Sequence, residues 1–347
     1  MRPFLQFTGD NHSMFGAHTD FLQHTLATAD DTVSPEFSIL SAGTEVTLLD
    51  CGVLRVEPNT ACDTSVVISC AVHGNETAPI ELVRDIVRDI LEEEQKAGQR
   101  VLFIMGNPWS MSIAQRFVEV NMNRLFTGDW QQYDTTLKEV KRAAKLEAYV
   151  ANFFAEEPVT VTKRFHYDLH TAIRGSKRER FAVYPYVAGR ELPDEQKGFL
   201  ARADIETVLL QQKEANTFSS FSSLRYGAES FTLELGSVKP FGENDLSRYS
   251  GIDYALRELV AGEPLPAEPK RPVAEFEVCH SIDVTSDTWE FFIPDDALNF
   301  TDYAPGTLIW RDGDQEYRVG DEPEYIVFPN PKVPVGQRAG LMLKIRR

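Results

Sequence analysis

Hydrophobic residues cluster along this chain in two alternating rhythms. Positions 66–72 (Val-Val-Ile-Ser-Cys-Ala-Val) form a short, almost uninterrupted apolar run, which predicts a strand buried on both faces. Apolar residues then recur at Ile80, Val83, Ile86, Val87 and Ile90, the 3.6-residue stripe of an amphipathic helix expected over 77–97. Gly98 marks its end, a second buried strand is expected at 101–105, and Gly106-Asn107-Pro108 turns that strand into a loop.

The rhythm continues downstream. A long amphipathic segment at 135–154 precedes a strand at 165–170. Further strands are expected at 181–187, 207–211 and 231–235, and a helix at 244–260. The first sixty residues are weakly patterned, with short strands expected at 44–49 and 53–56. Strands interleaved with helices imply an α/β fold, a mostly parallel or mixed sheet flanked by helices on both faces. At 262–272 the texture changes: four prolines among charged residues suit an exposed linker. Beyond it, short β-type runs separated by Gly, Pro and Asp predict a smaller β-rich domain. The expected division is a catalytic domain at 1–262, a linker at 263–273 and a β-rich C-terminal domain at 274–347.

Charge narrows the choice of partner. With 35 basic against 53 acidic residues, the net charge of -18 argues against nucleic acid and anionic membrane surfaces. An acidic small molecule would also be repelled unless arginines invert the field locally. No apolar run is long enough to span a bilayer, and residues 1–12 lack the apolar core of a signal peptide, so the expected compartment is the cytoplasm. The four cysteines, Cys51, Cys62, Cys70 and Cys279, show no CxxC pairing and read as reduced thiols.

The candidate chemistry begins where the first strand ends. In His73-Gly74-Asn75-Glu76 an imidazole and a carboxylate stand three positions apart at the C-terminal mouth of a strand, where α/β enzymes hold metals. A catalytic zinc takes three protein ligands and keeps one position open, so a third ligand is needed from another strand end. His170 is the candidate. Period-two alternation puts His166, Asp168 and His170 on one face of their strand, which makes Asp168 a candidate to orient a metal-bound imidazole. The plainer alternative is that these histidines are hydrogen-bonded boundary groups, since HxxE arises often by chance. His12, His18, His24 and His280 have no partner at ligand spacing and read as ordinary polar residues.

Taken together, four motifs in order resemble the succinylglutamate desuccinylases, in the aspartoacylase-like branch of the zinc carboxypeptidase superfamily. They are HGNE; GNP with Asn123-Arg124-Leu125-Phe126; DLHTAIRGS from Asp168; and TLELG from Thr232 followed by PFGENDLSRY from Pro240. The likeness spans about residues 60 to 250, and the proline linker and β-rich tail fit the family's layout. It implies a zinc-carboxypeptidase-like fold with one zinc per subunit on His73, Glu76 and His170, and Glu234 as the carboxylate that activates the attacking water. It also implies hydrolysis of N-succinyl-L-glutamate, the last step of arginine catabolism by the succinyltransferase pathway. Related N-acyl amino acid deacylation, carboxypeptidase activity, or a non-enzymatic metal-stabilised binder of acidic metabolites remain the alternatives. Glu234 stands between Leu233 and Leu235 in a predicted strand, where burial would raise its pKa towards working pH.

A substrate with three carboxylates needs placed arginines. By resemblance Arg124, beside Asn123, is the carboxylate-binding position, and Arg116 matches a further arginine of the branch in a less diagnostic setting. The dense run Arg174-Gly175-Ser176-Lys177-Arg178-Glu179-Arg180 is read either as a solvated loop or as a local inversion of field, with Arg174 as its substrate-binding candidate. Arg225 lies in a Ser-rich stretch at 219–227 that reads as a mobile lid. The sequence leaves the oligomeric state open.

Overall fold

The protein is described by a computed structural model covering residues 13–15, 20–172 and 174–346. The N-terminal part supplies α1 (Phe21–Ala27) and an antiparallel meander of β1 (Glu36–Ile39), β2 (Glu45–Asp50) and β3 (Val53–Glu57). There follow β4 (Thr64–Cys70), α2 (Thr77–Leu91), β5 (Arg100–Met105), α3 (Pro108–Ser112), α4 (Lys138–Ala155) and β6 (Lys163–Ala172). Next come β7 (Phe181–Tyr184), α5 (Asp194–Arg202), β8 (Thr207–Leu210), α6 (Phe218–Tyr226), β9 (Glu229–Ser237) and α7 (Ser250–Ala261). In the sheet, β5, β4, β6 and β9 lie side by side and parallel, and β7 joins β9 antiparallel.

Alternation along the central strands divides the core in two. Val66, Ile68 and Cys70 of β4 and Phe165, Tyr167 and Leu169 of β6 pack against α2, α5 and α7. Val67 of β4 and Leu102 and Ile104 of β5 face the other way, towards α4 and the Phe218 and Phe221 rings of α6. The stripe Ile80, Val83, Ile86, Val87 and Ile90 is buried as its spacing predicts, each side chain contributing roughly 1.5–3 kcal/mol of transfer free energy. However, α2 stops at Leu91, six residues short of the expected end. Glu93 adopts a left-handed φ of 60°, and the acids Glu92, Glu93 and Glu94 oppose the negative end of the helix dipole.

The β-rich C-terminal domain consists of β10 (Ala274–Asp283), β11 (Glu290–Phe291), β12 (Thr301–Tyr303), β13 (Leu308–Asp312), β14 (Gln315–Arg318), β15 (Glu324–Val327) and β16 (Arg338–Ile345). It is not a separate sheet. β10 pairs in parallel with β8, so β10, β16, β15 and β12 extend the main sheet to thirteen strands, while β11, β13 and β14 form a small sheet beside it. The four cysteines are all free thiols, Cys70 deep in the core. His280 stacks on Tyr317 at 3.8 Å between ring centres and accepts a hydrogen bond from Trp310. His12 and His18 lie outside the described residues. Among the described residues no helix is long and apolar enough to cross a membrane.

Candidate active site

The site grows from two loops at neighbouring strand ends. After β4 the backbone turns at Ala71, whose φ is 57°, and the loop after β5 is bonded to it through Gly106 N–H to Cys70 O and Asn107 N–H to Ala71 O, both 2.8 Å. Asn107 then caps α3 by accepting from Ser110 N–H. α3 lies so close to Gly74 that a Cβ there would sit 2.2 Å from Met111 N. Only glycine lets the two loops meet. Glu76 occupies the N-cap position of α2 but caps nothing with its side chain, which turns into the site instead.

Three ligand atoms converge there. The Nδ1 atoms of His73 and His170 are 3.2 Å apart, and the Glu76 carboxylate lies 3.0 Å from the first and 2.9 Å from the second. His73, Glu76 and His170 are all buried, and their ligand atoms fall within 4.8 Å of one another. The outer nitrogens settle the tautomers. His73 Nε2 donates to Asn121 Oδ1 at 3.0 Å, an oxygen that also accepts from Asn123 N–H, and His170 Nε2 donates to Asp168 Oδ2 at 2.8 Å. With Nε2 carrying the proton on each ring, the neutral form of both would aim Nδ1 lone pairs at one another and at a carboxylate. Such a set is satisfied by a shared cation, and two imidazoles with one carboxylate suit zinc. The demand for positive charge shows in the electrostatics: burial pushes the His170 pKa down, but Asp168 and Glu76 overcome it and hold it well above the ordinary value. Burial likewise raises Glu76, yet the two imidazoles hold it well below the usual carboxylate range.

Behind His170 runs a buried chain. Asp168 Oδ1 accepts from Ser69 Oγ at 2.6 Å, Ser69 meets His166 Nε2 at 2.8 Å, and His166 Nδ1 meets Ser222 Oγ at 2.7 Å. Burial depresses the His166 pKa to about 4, so its ring is neutral. Ser222 belongs to α6, and the stretch read as a mobile lid is thus a helix whose serines 219, 220, 222 and 223 are buried against β9 and β6. Each of those hydroxyls finds a partner that hydrophobic patterning does not register.

Glu234 faces the ligands from the next strand, in register with His170 across the β6–β9 ladder. Immediately afterwards the ladder shifts, with Ala172 opposite Ser237, and Gly236 accommodates the extra residue with a φ of 128°. Burial raises the Glu234 pKa to about 7 against the opposing pull of His170, and its Oε2 is buried with no hydrogen-bond partner. Such a group can take up and return a proton near neutrality.

A cleft of about 640 Å³ opens in front of these groups, bounded by His73, Arg116, Asn123, Arg124, His170 and Glu234. Arg116 Nη1 donates to Glu76 Oε1 at 2.7 Å, which places its guanidinium beside the ligand set. Asn123 is buried, its Oδ1 accepting from Phe218 N–H and tying the segment to α6. Arg124 donates only to Asn123 O among the described residues; its side chain is exposed at the cleft, yet desolvation by the surrounding walls, followed by the charges of Arg338 and Arg116, lowers its pKa to about 10.

Arg174 departs from expectation. It does not line this cleft; its guanidinium binds the carbonyl oxygens of Asp295 and Ala297 in the C-terminal domain. Its neighbours are likewise engaged, Lys177 with Asp302, Arg178 with Thr207 and the face of Phe276, and Arg180 with Arg248 O. Arg174, Lys177 and Arg178 thus reach the C-terminal domain, while Arg180 is tied to the segment before α7. Asn121, Ser69, Ser222 and Arg338 also build the site, although no sequence motif singles them out. Asn121 stands two residues before Asn123, at the edge of a motif, whereas Arg338 carries no local signal.

The chain is similar to known proteins over most of its length. Residues 62–260 match the model of the succinylglutamate desuccinylase/aspartoacylase catalytic domain, and residues 271–346 that of the AstE/AspA barrel-sandwich hybrid domain. The chain is 46% identical over 303 residues to a succinylglutamate desuccinylase of Idiomarina loihiensis, covering 86% of this chain and 88% of that protein. It is 44% identical to that of Shewanella woodyi, over 94% and 95% of the two chains. The crystal structure of a Vibrio parahaemolyticus succinylglutamate desuccinylase superposes with a TM-score of 0.87 at 38% identity, covering 94% of this chain and 95% of that one. Murine aminoacylase 3, at 16% identity and a TM-score of 0.56 over 83% of this chain and 97% of that one, shares the fold. The chain belongs to the succinylglutamate desuccinylase/aspartoacylase family.

Proposed function

We propose that this protein is a zinc-dependent hydrolase that cleaves the amide bond of N-succinyl-L-glutamate to succinate and L-glutamate, closing arginine catabolism by the succinyltransferase route. The observation that carries this reading is Glu234. Its unpartnered Oε2 lies in a cleft where His73, Glu76 and His170 converge and arginines gather. Relatives of up to 46% identity bear the name of that activity.

His73, Glu76 and His170 would hold the zinc, which when bound acidifies a water and polarises the acyl carbonyl. Glu234 removes a proton from the attacking water at its free carboxylate oxygen. As the C–N bond breaks, Glu234 returns that proton to the leaving nitrogen, so it ends the cycle as it began. Arg116, held 2.7 Å from Glu76, stabilises the negative charge that develops on the carbonyl oxygen. Asn123 and Arg124 hold a substrate carboxylate. The cleft wall includes Phe328 from the C-terminal domain, which favours a small substrate over a peptide. Four reduced cysteines fit a cytoplasmic enzyme. Residues 1–262 would then form the catalytic unit and 274–347 its companion.

The test is metal analysis of the purified protein coupled to a succinate-release assay on N-succinylglutamate, with N-acetylaspartate and a peptide with a free C-terminus as competing substrates. Preference for N-succinylglutamate is expected. Zinc-loaded protein that releases no succinate overturns the reading, and preference for another substrate moves it to that acylase or peptidase class.

A further inference from the structure

We propose that Arg338, contributed by the β-rich domain, binds the acyl or the side-chain carboxylate of the substrate and so makes that domain part of the specificity site; this rests on the reading above. Arg338 is the first residue of β16 and lines the same cleft as His73, His170 and Glu234. It lies near enough to Arg124 for the two positive charges to be felt in the Arg124 titration. Among the described residues neither guanidinium has a carboxylate at ion-pair distance, although Asp283 is opposite Arg338 in the β10–β16 ladder. Other arginines of this acidic chain are mostly paired: Arg100 with Glu57, Arg257 with Asp89 and Asp253, Arg346 with Glu191. Two unpaired like charges facing one cleft repel each other, and an anion between them relieves that repulsion.

The surroundings agree. Thr217, Ser219, Ser220 and Thr232 line the cleft and supply neutral donors without an opposing acid. The acidic groups of the site, Glu76 and Glu234, belong to the metal end. N-Succinylglutamate has three carboxylates, Arg124 accounts for one, and Arg116 is occupied by Glu76. A further carboxylate thus needs a further cation, which Arg338 provides.

The test compares the zinc-loaded parent with Arg338→Gln on three substrates. They are N-succinylglutamate, N-butanoylglutamate (acyl carboxylate replaced by methyl) and N-succinylnorvaline (side-chain carboxylate replaced by methyl). Arg338→Gln is expected to lower kcat/KM on N-succinylglutamate roughly 10- to 100-fold, mainly through KM, and to leave one of the two analogues unaffected. Equal losses on all three substrates, or no loss on the first, overturn the proposal. Binding of N-succinylglutamate to Glu234→Gln protein, measured by calorimetry with and without Arg338→Gln, separates this from the catalytic reading. A parent that does not hydrolyse the compound but binds it through Arg338 sinks the reaction and keeps the site.

Discussion

Glu234 and His170 stand directly opposite each other on adjacent parallel strands, so the carboxylate proposed to transfer the proton and an imidazole proposed to hold the metal share one rung of the sheet. The backbone ladder, rather than a loop, holds their separation. Glu234→Gln keeps the shape of the side chain and removes its proton chemistry. It is expected to lower kcat by about 10²- to 10⁴-fold while retaining zinc, as read by metal analysis and steady-state kinetics. Unchanged turnover would take Glu234 out of the mechanism.

The same group predicts the acid limb of the pH profile. Burial raises the Glu234 pKa to about 7, and the base must be ionised to accept a proton. Activity is therefore lost as pH falls through that value. A bound dication favours the carboxylate and moves the limb lower. The plot of log kcat/KM against pH should bend at or below about 7; a flat profile between pH 5 and about 7 would contradict the assignment.

Asp168 holds the His170 ring by its Nε2–H and is itself held by Ser69. Asp168→Asn disturbs the tautomer that aims Nδ1 at the metal and should weaken zinc binding about 10- to 100-fold in a chelator competition. Asp168→Glu, too long for the same geometry, should not restore it.

At Gly74 the added methyl of alanine meets the backbone of Ser110 and Met111. Gly74→Ala should cost roughly 1–3 kcal/mol of stability by thermal melting and also lower zinc content, because His73 and Glu76 flank the displaced residue. Gly189→Ala, where nothing lies within 4 Å but the φ of 73° strains any side chain, also loses stability yet keeps its zinc, and so serves as the control for zinc content.

Arg124→Met removes a guanidinium whose remaining contact is one backbone carbonyl. An increase in KM of roughly 10- to 100-fold with little change in kcat is expected if it holds a carboxylate uniformly through the reaction. A change confined to kcat would place Arg124 at the reacting carbonyl.

Much of this was legible in the chain. The apolar run before His73 and the stripe from Ile80 to Ile90 announced a strand and a helix, because periods of two and 3.6 are local properties of the backbone. The alternation of His166, Asp168 and His170 followed from the same rule, and the structure finds all three on the face turned towards α6. The Ser-rich stretch 219–227 reads as a loop but is helical to Tyr226, because its hydroxyls are satisfied by distant groups, among them His166 and Thr232.

The basic run after His170 marks the limit of such reading. Its charges are evident in the sequence, but whether Arg174 meets a substrate or the carbonyl groups of Asp295 and Ala297 depends on where the C-terminal strands dock. Sequence alone determined which short segments would be strand or helix and which side chains each would turn to one face, since neighbouring residues set those outcomes. Only the tertiary structure decided that β8 would accept β10 and carry Arg338 into the cleft. Strand pairing between remote segments depends on surfaces that no local pattern encodes, so the partner chosen appears only once the sheet is assembled.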